Sequence, residues 1–289
     1  MLIDTHAHFE PRMLDETTLL SKLDAAGVGR VVLIPSLNDP IPKTPERLLS
    51  VARALIRNKA TRPIAEALHR ATLTAEGDLR LPSGTFGIYA RPDNASVAAV
   101  CRRHPGRVSG WVFLNPRNNP GVLDDLEQWR SEPGMLGVKL HPHWHDYRTE
   151  LAMPLLRRIE ELRLPVLIHL GFRARGDYRA ICERLPKLSL IAAHAGMPFF
   201  DDLWRAARKL ENLFIDLSSP YLDEALVGDA VRAIGAERCL FGTDAPYGFH
   251  DSDGSYDYRA IRGWVDRLPV RERDRELIFE GNARRLLRI

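Results

Sequence analysis

Short apolar runs alternate with amphipathic stretches along most of the chain. Val31–Ile34 and Val166–Ile168 are continuous runs of aliphatic residues, a pattern typical of strands buried on both faces. Eight runs are predicted strands: Leu2–His6, Arg30–Pro35, Val108–Leu114, Gly137–His141, Pro165–Leu170, Leu188–His194, Leu213–Leu217 and Cys239–Thr243. Helices are predicted between them at Glu16–Ala26, Ala95–His104, Val122–Ser131, Ala152–Arg163, Tyr178–Arg184, Phe200–Leu210 and Asp223–Ile234, with Asp15, Asn94 and Asp177 as caps.

The alternation of strands and helices predicts parallel strand pairing. Eight such units form a closed (β/α)8 TIM barrel, which needs roughly 250 residues, so the 289 residues are expected to make a single domain, 1–289. An open doubly wound sheet is the alternative. It is disfavoured because no Gly-x-Gly-x-x-Gly follows the first strand.

One interval between strands is too long for a single helix. Residues of about 36–90 form an insertion after the second strand, with a proline-rich start and helical patterns at Glu46–Asn58 and Pro63–Ala71. A further strand is expected at Thr85–Ala90. Insertions after barrel strands emerge at the carboxyl ends of the strands, so we expect this segment to cap the site there. A packing or dimerisation element is the alternative, which leaves a homodimer open.

Composition excludes several classes of function. The net charge is only +3 and the arginines are scattered, so nucleic-acid binding is not expected. No apolar run reaches the roughly 18–20 residues of a membrane span, and no secretory leader precedes the first motif. The three cysteines are far apart and are expected to be buried thiols. A cytoplasmic protein acting on a small molecule is the expectation.

Polar residues collect where the predicted strands end. His6 and His8 are two positions apart on the first strand, so their side chains share one face. In a barrel all strand ends meet at one mouth, where such residues are typically catalytic, and the combination predicts a divalent metal site. The other residues of this kind are Lys139, His141, His169, His194 and Asp244.

These motifs resemble the amidohydrolase superfamily, in particular the branch that contains aminocarboxymuconate-semialdehyde decarboxylase. The matching pieces are Asp4–His8, Val138–Pro142, Leu167–His169, Ala193–Gly196, Gly242–Pro246 and a closing helix at Gly281–Leu287. The resemblance implies that His6, His8, His169 and Asp244 hold one divalent metal, most often zinc, with His194 beside it. Three imidazoles and a carboxylate suit zinc. Asp244 would accept the proton of a metal-activated water, and His194 would polarise the substrate.

Several further residues are candidates with more than one role. Lys139 could be carboxylated and bridge two metals, as in some superfamily members, or could orient a substrate carboxylate; one metal is favoured. His141 could hold a second metal or contact the substrate, and His143 and His145 are expected on the following loop. Four more residues are candidates for substrate binding because they follow strand ends: Arg173, Arg175, Tyr247 and His250.

The reaction class is less sharply defined than the site. We expect a metal-dependent hydrolase acting on a small anionic lactone, amide or ester, since hydrolysis is the commoner chemistry of the superfamily. A metal-dependent decarboxylase of an aromatic or unsaturated carboxylic acid is the alternative, followed by a non-catalytic barrel. Nothing in the sequence demands a nicotinamide or flavin. A serine nucleophile is not expected either, because no Gly-x-Ser-x-Gly elbow is present.

Overall fold

The computed structural model describes residues 1–249 and 256–289. Eight parallel strands form one sheet in the order β1-β2-β5-β6-β7-β8-β9-β10, so the predicted (β/α)8 TIM barrel is confirmed. The strands are β1 Leu2–Phe9, β2 Val28–Pro35, β3 Leu79–Leu81, β4 Gly84–Phe86, β5 Val108–Phe113, β6 Met135–Leu140, β7 Val166–Ile168, β8 Leu190–Ala192, β9 Leu213–Asp216 and β10 Cys239–Leu240. Each of the eight predicted barrel strands overlaps an observed one.

The barrel closes where its first and last strands meet. The backbone amide of Thr5 donates to the carbonyl of Phe241 at 3.0 Å, and that of Asp244 donates to the carbonyl of His6 at 2.6 Å. A parallel bridge joins Ala7 to Ala245 one step further along. These bonds form the seam that brings residues 6 and 8 beside residue 244.

The outer layer is formed by helices that follow the strands. The helices are α1 Glu16–Ala25, α2 Glu46–Arg57, α3 Arg62–Ala71, α4 Asn94–Arg103, α5 Val122–Arg130, α6 Thr149–Glu161, α7 Tyr178–Arg184, the single turn α8 Ala193–Gly196, α9 Asp201–Ala207, α10 Glu224–Ile234, α11 Arg259–Asp266, α12 Glu272–Glu276 and α13 Asn282–Leu287. Short 3₁₀ turns lie at Arg173–Gly176 and Ala236–Arg238, and a π-helical turn lies at Leu277–Gly281. The strand-and-helix alternation did not predict α11 and α12, which lie beyond the last barrel strand.

Two of the three predicted helix caps are confirmed. Asp15 accepts from the amide of Thr18 at 3.0 Å, and Asp177 accepts from that of Ala180 at 3.1 Å. The prediction for Asn94 is wrong, because Asp93 caps α4 instead. The Asn94 amide turns inward and exchanges hydrogen bonds with both the N–H and the carbonyl of Phe113. It thereby ties the helix to strand β5.

Alternate residues of the barrel strands divide between two apolar clusters. Trp111 and Leu167 belong to the cluster inside the barrel, whereas their neighbours Val112 and Val166 pack toward the helices. Strand β1 departs from this alternation. Ile3 packs inside but Ala7 packs outside, and the register is irregular between Asp4 and Ala7. The even spacing from Ile3 to Ala7 would otherwise place both on one face, so this irregularity reverses the inward face of β1 before its end.

The segment between β2 and α4 contains two helices and a small hairpin. Helices α2 and α3 are followed by β3 and β4, which pair antiparallel. The predicted strand at Thr85–Ala90 is therefore shorter, at Gly84–Phe86. Asn38 bridges to Ile88, which returns the chain to the barrel.

No helix in the described ranges is long and apolar enough to cross a membrane. Cys101, Cys182 and Cys239 are free and buried, as expected from the sequence.

Candidate active site

A cavity of about 580 Å³ lies between the carboxyl ends of the barrel strands and the segment 36–90. Its barrel side is polar, with histidines, Lys139 and Asp244. Its opposite side consists mainly of apolar residues from the segment between β2 and α4: Leu37, Ile41, Leu48, Leu49, Ala52, Leu55, Ile56, Ala65, Leu68, Leu79 and Leu81. The cavity thus has a charged floor and an apolar wall, an arrangement suited to a small ligand with one polar end.

His6 is held in one orientation by a buried carboxylate that our sequence prediction did not include. Nδ1 of His6 lies 2.8 Å from Oδ2 of Asp216 at the end of β9, and both side chains are fully buried. A carboxylate can only accept, so Nδ1 carries the proton and Nε2 presents its lone pair. Burial lowers the pKa of His6 to about 3, which keeps the ring neutral.

Asp216 also supports the neighbouring strand end. Its other oxygen accepts from the backbone amide of His194 at 3.0 Å and from the Ser218 hydroxyl at 2.6 Å. Nδ1 of His194 in turn lies 2.9 Å from Oγ of Ser218 and 3.3 Å from the Ser218 carbonyl oxygen. The hydroxyl proton is given to Asp216, so Nδ1 of His194 is the donor in this contact and Nε2 is left with a lone pair.

Three residues bring ligand atoms within 4.8 Å of one another: His6, His194 and Asp244. His8 is adjacent, because Nε2 of His6 and Nε2 of His8 each lie 3.4 Å from Oδ1 of Asp244. His194 and Asp244 both have left-handed backbones, with φ of 56° and 62°. Such conformations are unfavourable unless the surroundings impose them, and they concentrate at functional sites.

His169 completes the arrangement from β7. Its ring centroid lies 4.6 Å from that of His194, and its buried Nε2 has no hydrogen-bond partner among the described residues. An imidazole nitrogen left unpaired in a buried site is costly unless a ligand engages it. Neutral imidazoles, an unpaired nitrogen and one carboxylate are the donor set that zinc prefers, so these residues fit a divalent metal. The structure therefore groups the predicted His6, His8, His169 and Asp244 around His194.

A second buried carboxylate fastens the seam beneath this group. Asp4 accepts from the Thr243 hydroxyl at 2.5 Å and from the backbone amides of Thr243 and His6, each at 3.1 Å. Burial raises the pKa of Asp4 to about 7 although these bonds oppose the shift. Asp4 thereby fixes the backbone on both sides of the candidate ligands.

Lys139 lies at the floor of the cavity with its ammonium group close to His6. Nζ is 3.5 Å from Nε2 of His6, and burial lowers the pKa of Lys139 to about 8, against the opposing charges of Asp216 and Asp244. Among the described residues no carboxylate oxygen lies within ion-pair distance of Nζ. A buried cation without a paired anion suits an anionic ligand.

The segment between β2 and α4 adds a histidine that sequence reasoning missed. His69 of α3 stacks on His143 with ring centroids 4.0 Å apart, and His143 stacks on His169 at 5.0 Å. His143 and His145 lie on the loop after β6, as expected. The hydrophobic pattern of α3 carried no signal for His69, since its partners are on a distant loop.

Arg173 and Arg175 form ion pairs with acidic residues that, in the described part of the chain, do not line the cavity. Arg173 Nε lies 2.6 Å from Glu66, a residue of α3, and Arg175 contacts both Glu66, at 3.4 Å, and Asp146, at 2.6 Å. Arg175 and Glu66 are buried, whereas the Arg173 side chain is 74% exposed. Substrate binding by these arginines stays a prediction, and their present contacts join α3 to the barrel.

Tyr247 lines the cavity, and its ring meets that of His8 edge to face at 5.3 Å. Its buried hydroxyl has no hydrogen-bond partner among the described residues. His250 lies outside the described residues.

Comparison with known proteins places this site in a family context. Residues 3–289 match the model of a family described as amidohydrolase. A gamma-resorcylate decarboxylase of Rhizobium radiobacter is 31% identical over 259 residues, an alignment that covers 69% of this chain and 76% of the relative. A 2-keto-4-carboxy-3-hexenedioate hydratase of Sphingobium sp. is 23% identical over an alignment of 343 residues, covering 99% of this chain and 96% of the relative.

The fold is also found in a solved structure. The crystal structure of 2,6-dihydroxybenzoate decarboxylase from Rhizobium superposes with a TM-score of 0.62 at 18% identity, over 99% of this chain and 98% of that one. At this identity the likeness concerns the fold alone.

Proposed function

The chain belongs to the amidohydrolase family, a metal-dependent family of enzymes, and from that premise we propose that it is a metal-dependent decarboxylase of an aromatic or unsaturated carboxylic acid. The observation that carries the proposal is a His/Asp group and a buried lysine at the floor of a cavity with an apolar wall. The floor suits a carboxylate and the wall suits a flat, unsaturated body.

Decarboxylation is preferred to hydrolysis because of the relatives. The relative that is 31% identical is a decarboxylase, and the hydratase is a second lyase of the family. The hydrolase expected from the sequence is less well supported than its alternative. If the chain is a decarboxylase, its substrate is a small organic acid.

Each floor residue has a proposed role. His6, His8, His169 and Asp244 would hold the metal, with zinc proposed on donor chemistry. When bound, the metal supplies Lewis-acid stabilisation of negative charge on the substrate. Lys139, unmodified, pairs with the substrate carboxylate in this proposal, and its position 3.5 Å from His6 keeps that carboxylate beside the ligands.

The proposed reaction exchanges a carboxylate for a proton at one carbon. Burial would raise the pKa of Asp244, but contacts with His194 and His8 outweigh it and hold that pKa at about 2, so Asp244 is ionised before the substrate binds. It takes a proton from solvent and delivers it to the carbon that bears the carboxylate. The bond to the carboxylate carbon then breaks, and its electron pair stays on the substrate while carbon dioxide leaves. Nε2 of His194, which has a free lone pair, takes up a solvent proton as the anionic substrate binds, and the N–H so formed stabilises the charge that develops. Asp244 is thereby left as the carboxylate that it was before the substrate bound.

We also propose that the segment 36–90 caps the cavity within one domain of residues 1–289. Helices α2 and α3 supply much of the apolar wall, and Arg175 joins α3 to the barrel through buried Glu66. A cap of this kind excludes water, which favours loss of carbon dioxide over attack by water.

The test is a substrate panel of aromatic and unsaturated carboxylic acids, lactones and amides, run with metal-loaded protein in water enriched in heavy oxygen and in deuterium oxide. The expected result is release of carbon dioxide with solvent deuterium on the carbon left behind, absent in Asp244→Asn. Solvent oxygen in a product carboxylate, without carbon dioxide, would assign the chain to hydrolysis instead.

A further inference from the structure

His141 has its protonation state fixed by the backbone that follows it. The amide nitrogen of Trp144 donates to Nδ1 of His141 at 3.2 Å. A backbone N–H is always a donor, so Nδ1 must offer a lone pair and carries no proton. This contact excludes both the doubly protonated ring and the tautomer with its proton on Nδ1. The proton of the neutral ring is therefore on Nε2.

His6 shows the opposite arrangement in the same cavity. Its Nδ1 faces the Asp216 carboxylate, which only accepts, so Nδ1 keeps the proton and Nε2 keeps the lone pair. A metal ligand needs that free lone pair. His6 therefore has the tautomer of a ligand through Nε2, whereas His141 has the tautomer of a donor through Nε2.

The donor of His141 has no acceptor in the protein. The residue is buried and lines the cavity, with its ring centroid 4.3 Å from that of His169. Among the described residues none accepts a hydrogen bond from its Nε2. Lys139 lies two positions earlier along the same strand end, a spacing that places both side chains on one face.

We propose that His141 is a dedicated hydrogen-bond donor to an anionic oxygen of the substrate and that it is not a metal ligand. This inference deepens the proposed function, because with Lys139 it forms a receptor of two donors for the carboxylate of an organic acid. The N–H of His141 beside the Lys139 ammonium group favours ligands with an anionic oxygen, which can accept from both. It disfavours cationic or amide N–H groups, because two donors would then face each other.

The tautomer of His141 can be measured without an activity assay. Histidine labelled with nitrogen-15 is incorporated, and the imidazole nitrogens of the metal-loaded protein are observed by NMR. The His141 signals are those missing from His141→Gln. We expect a protonated Nε2 and an unprotonated Nδ1. A protonated Nδ1 at His141 would overturn the proposal, whichever reaction the enzyme performs.

The second test measures binding of ortho-hydroxybenzoate to the metal-loaded protein by calorimetry. His141→Leu removes the donor and should weaken binding by about 10- to 100-fold, the effect of losing a hydrogen bond to a charged group. His141→Gln keeps a donor and should lose less. Both variants should contain as much metal as the wild type. Loss of metal from either variant, or an unchanged dissociation constant in His141→Leu, would refute the donor role.

The two failures are distinguishable. Carbon dioxide release with a protonated His141 Nδ1 would refute this inference and leave the decarboxylase proposal standing. Conversely, the expected tautomer and weakened probe binding, combined with solvent oxygen in the product, would support the donor role within a hydrolase.

Discussion

Nδ1 of His6 and Oδ2 of Asp216 are 2.8 Å apart in a fully buried contact that joins the first barrel strand to the seventh. Because the carboxylate fixes the proton on Nδ1, it determines which nitrogen of His6 is free for a metal. Burial by itself would raise the pKa of Asp216, but the contacts with His6, His194 and Ser218 hold it well below its usual range. The pair therefore consists of a carboxylate and a neutral imidazole.

We expect Asp216→Asn to weaken metal binding by about 10- to 100-fold, because an amide orients the ring less strongly and lowers its basicity. Affinity is measured by competition with a chelator. Ser218→Ala is the comparison variant: it removes a hydroxyl that is bonded to Asp216 and lies 3.1 Å from Nδ1 of His6, but it keeps the contact between Asp216 and His6, so a smaller loss of affinity is expected. Equal metal affinity in Asp216→Asn and wild type would show that Asp216 does not act through His6.

Elemental analysis should find one divalent ion per chain, and a chelator should abolish activity until the metal is restored. Lys139→Met should keep that ion, since an unmodified lysine is not a ligand, while losing affinity for carboxylate ligands. Two ions in the wild type and fewer in Lys139→Met would instead indicate a carboxylated, bridging Lys139.

His194→Asn should lower the rate by about 10²- to 10⁴-fold, as expected for loss of a positioned acid–base or electrostatic group. Its metal content should stay close to that of the wild type. Since His194 lies within 4.8 Å of the ligand atoms of His6 and Asp244, the metal measurement is decisive. Loss of the ion would make His194 a ligand.

Arg175→Met should lower the free energy of unfolding by about 1–3 kcal/mol, because it removes a buried partner of Glu66 and the contact with Asp146. Glu66 keeps its contact with Arg173, which limits the loss. Arg173→Met is the matched control at the same acid. Its side chain is 74% exposed, so a change within about 1 kcal/mol is expected in chemical denaturation. A large rise in KM with unchanged stability in either variant would restore the substrate-binding role predicted from the sequence.

The barrel was predictable because its strands are continuous apolar runs with a regular spacing. The match over residues 3–289 likewise confirms the resemblance carried by the strand-end motifs. Strand ends were less predictable: the strand predicted at Pro165–Leu170 is observed only at Val166–Ile168. His169 lies just beyond that strand, where side chains are placed by tertiary contacts and not by alternation.

The supporting residues of the site were harder to foresee. Asp216 was hidden inside the predicted strand Leu213–Leu217, although a carboxylate in a buried run always requires a partner. That requirement is a usable signal, but it does not identify His6 as the partner. Glu66 and His69 lie on α3, and no local pattern relates them to their partners Arg173 and His143, which lie 107 and 74 positions further along the chain.

The seam between β1 and β10 constrains when the enzyme can first work. Asp4 and Thr243 are 239 positions apart, so a nascent chain lacks Asp244 of the proposed ligand set until its last barrel strand has left the ribosome. Joining such distant segments is an entropically slow step of folding. An ion that binds only the joined form stabilises it by mass action. Metal availability during synthesis should therefore govern the yield of folded protein as well as its activity.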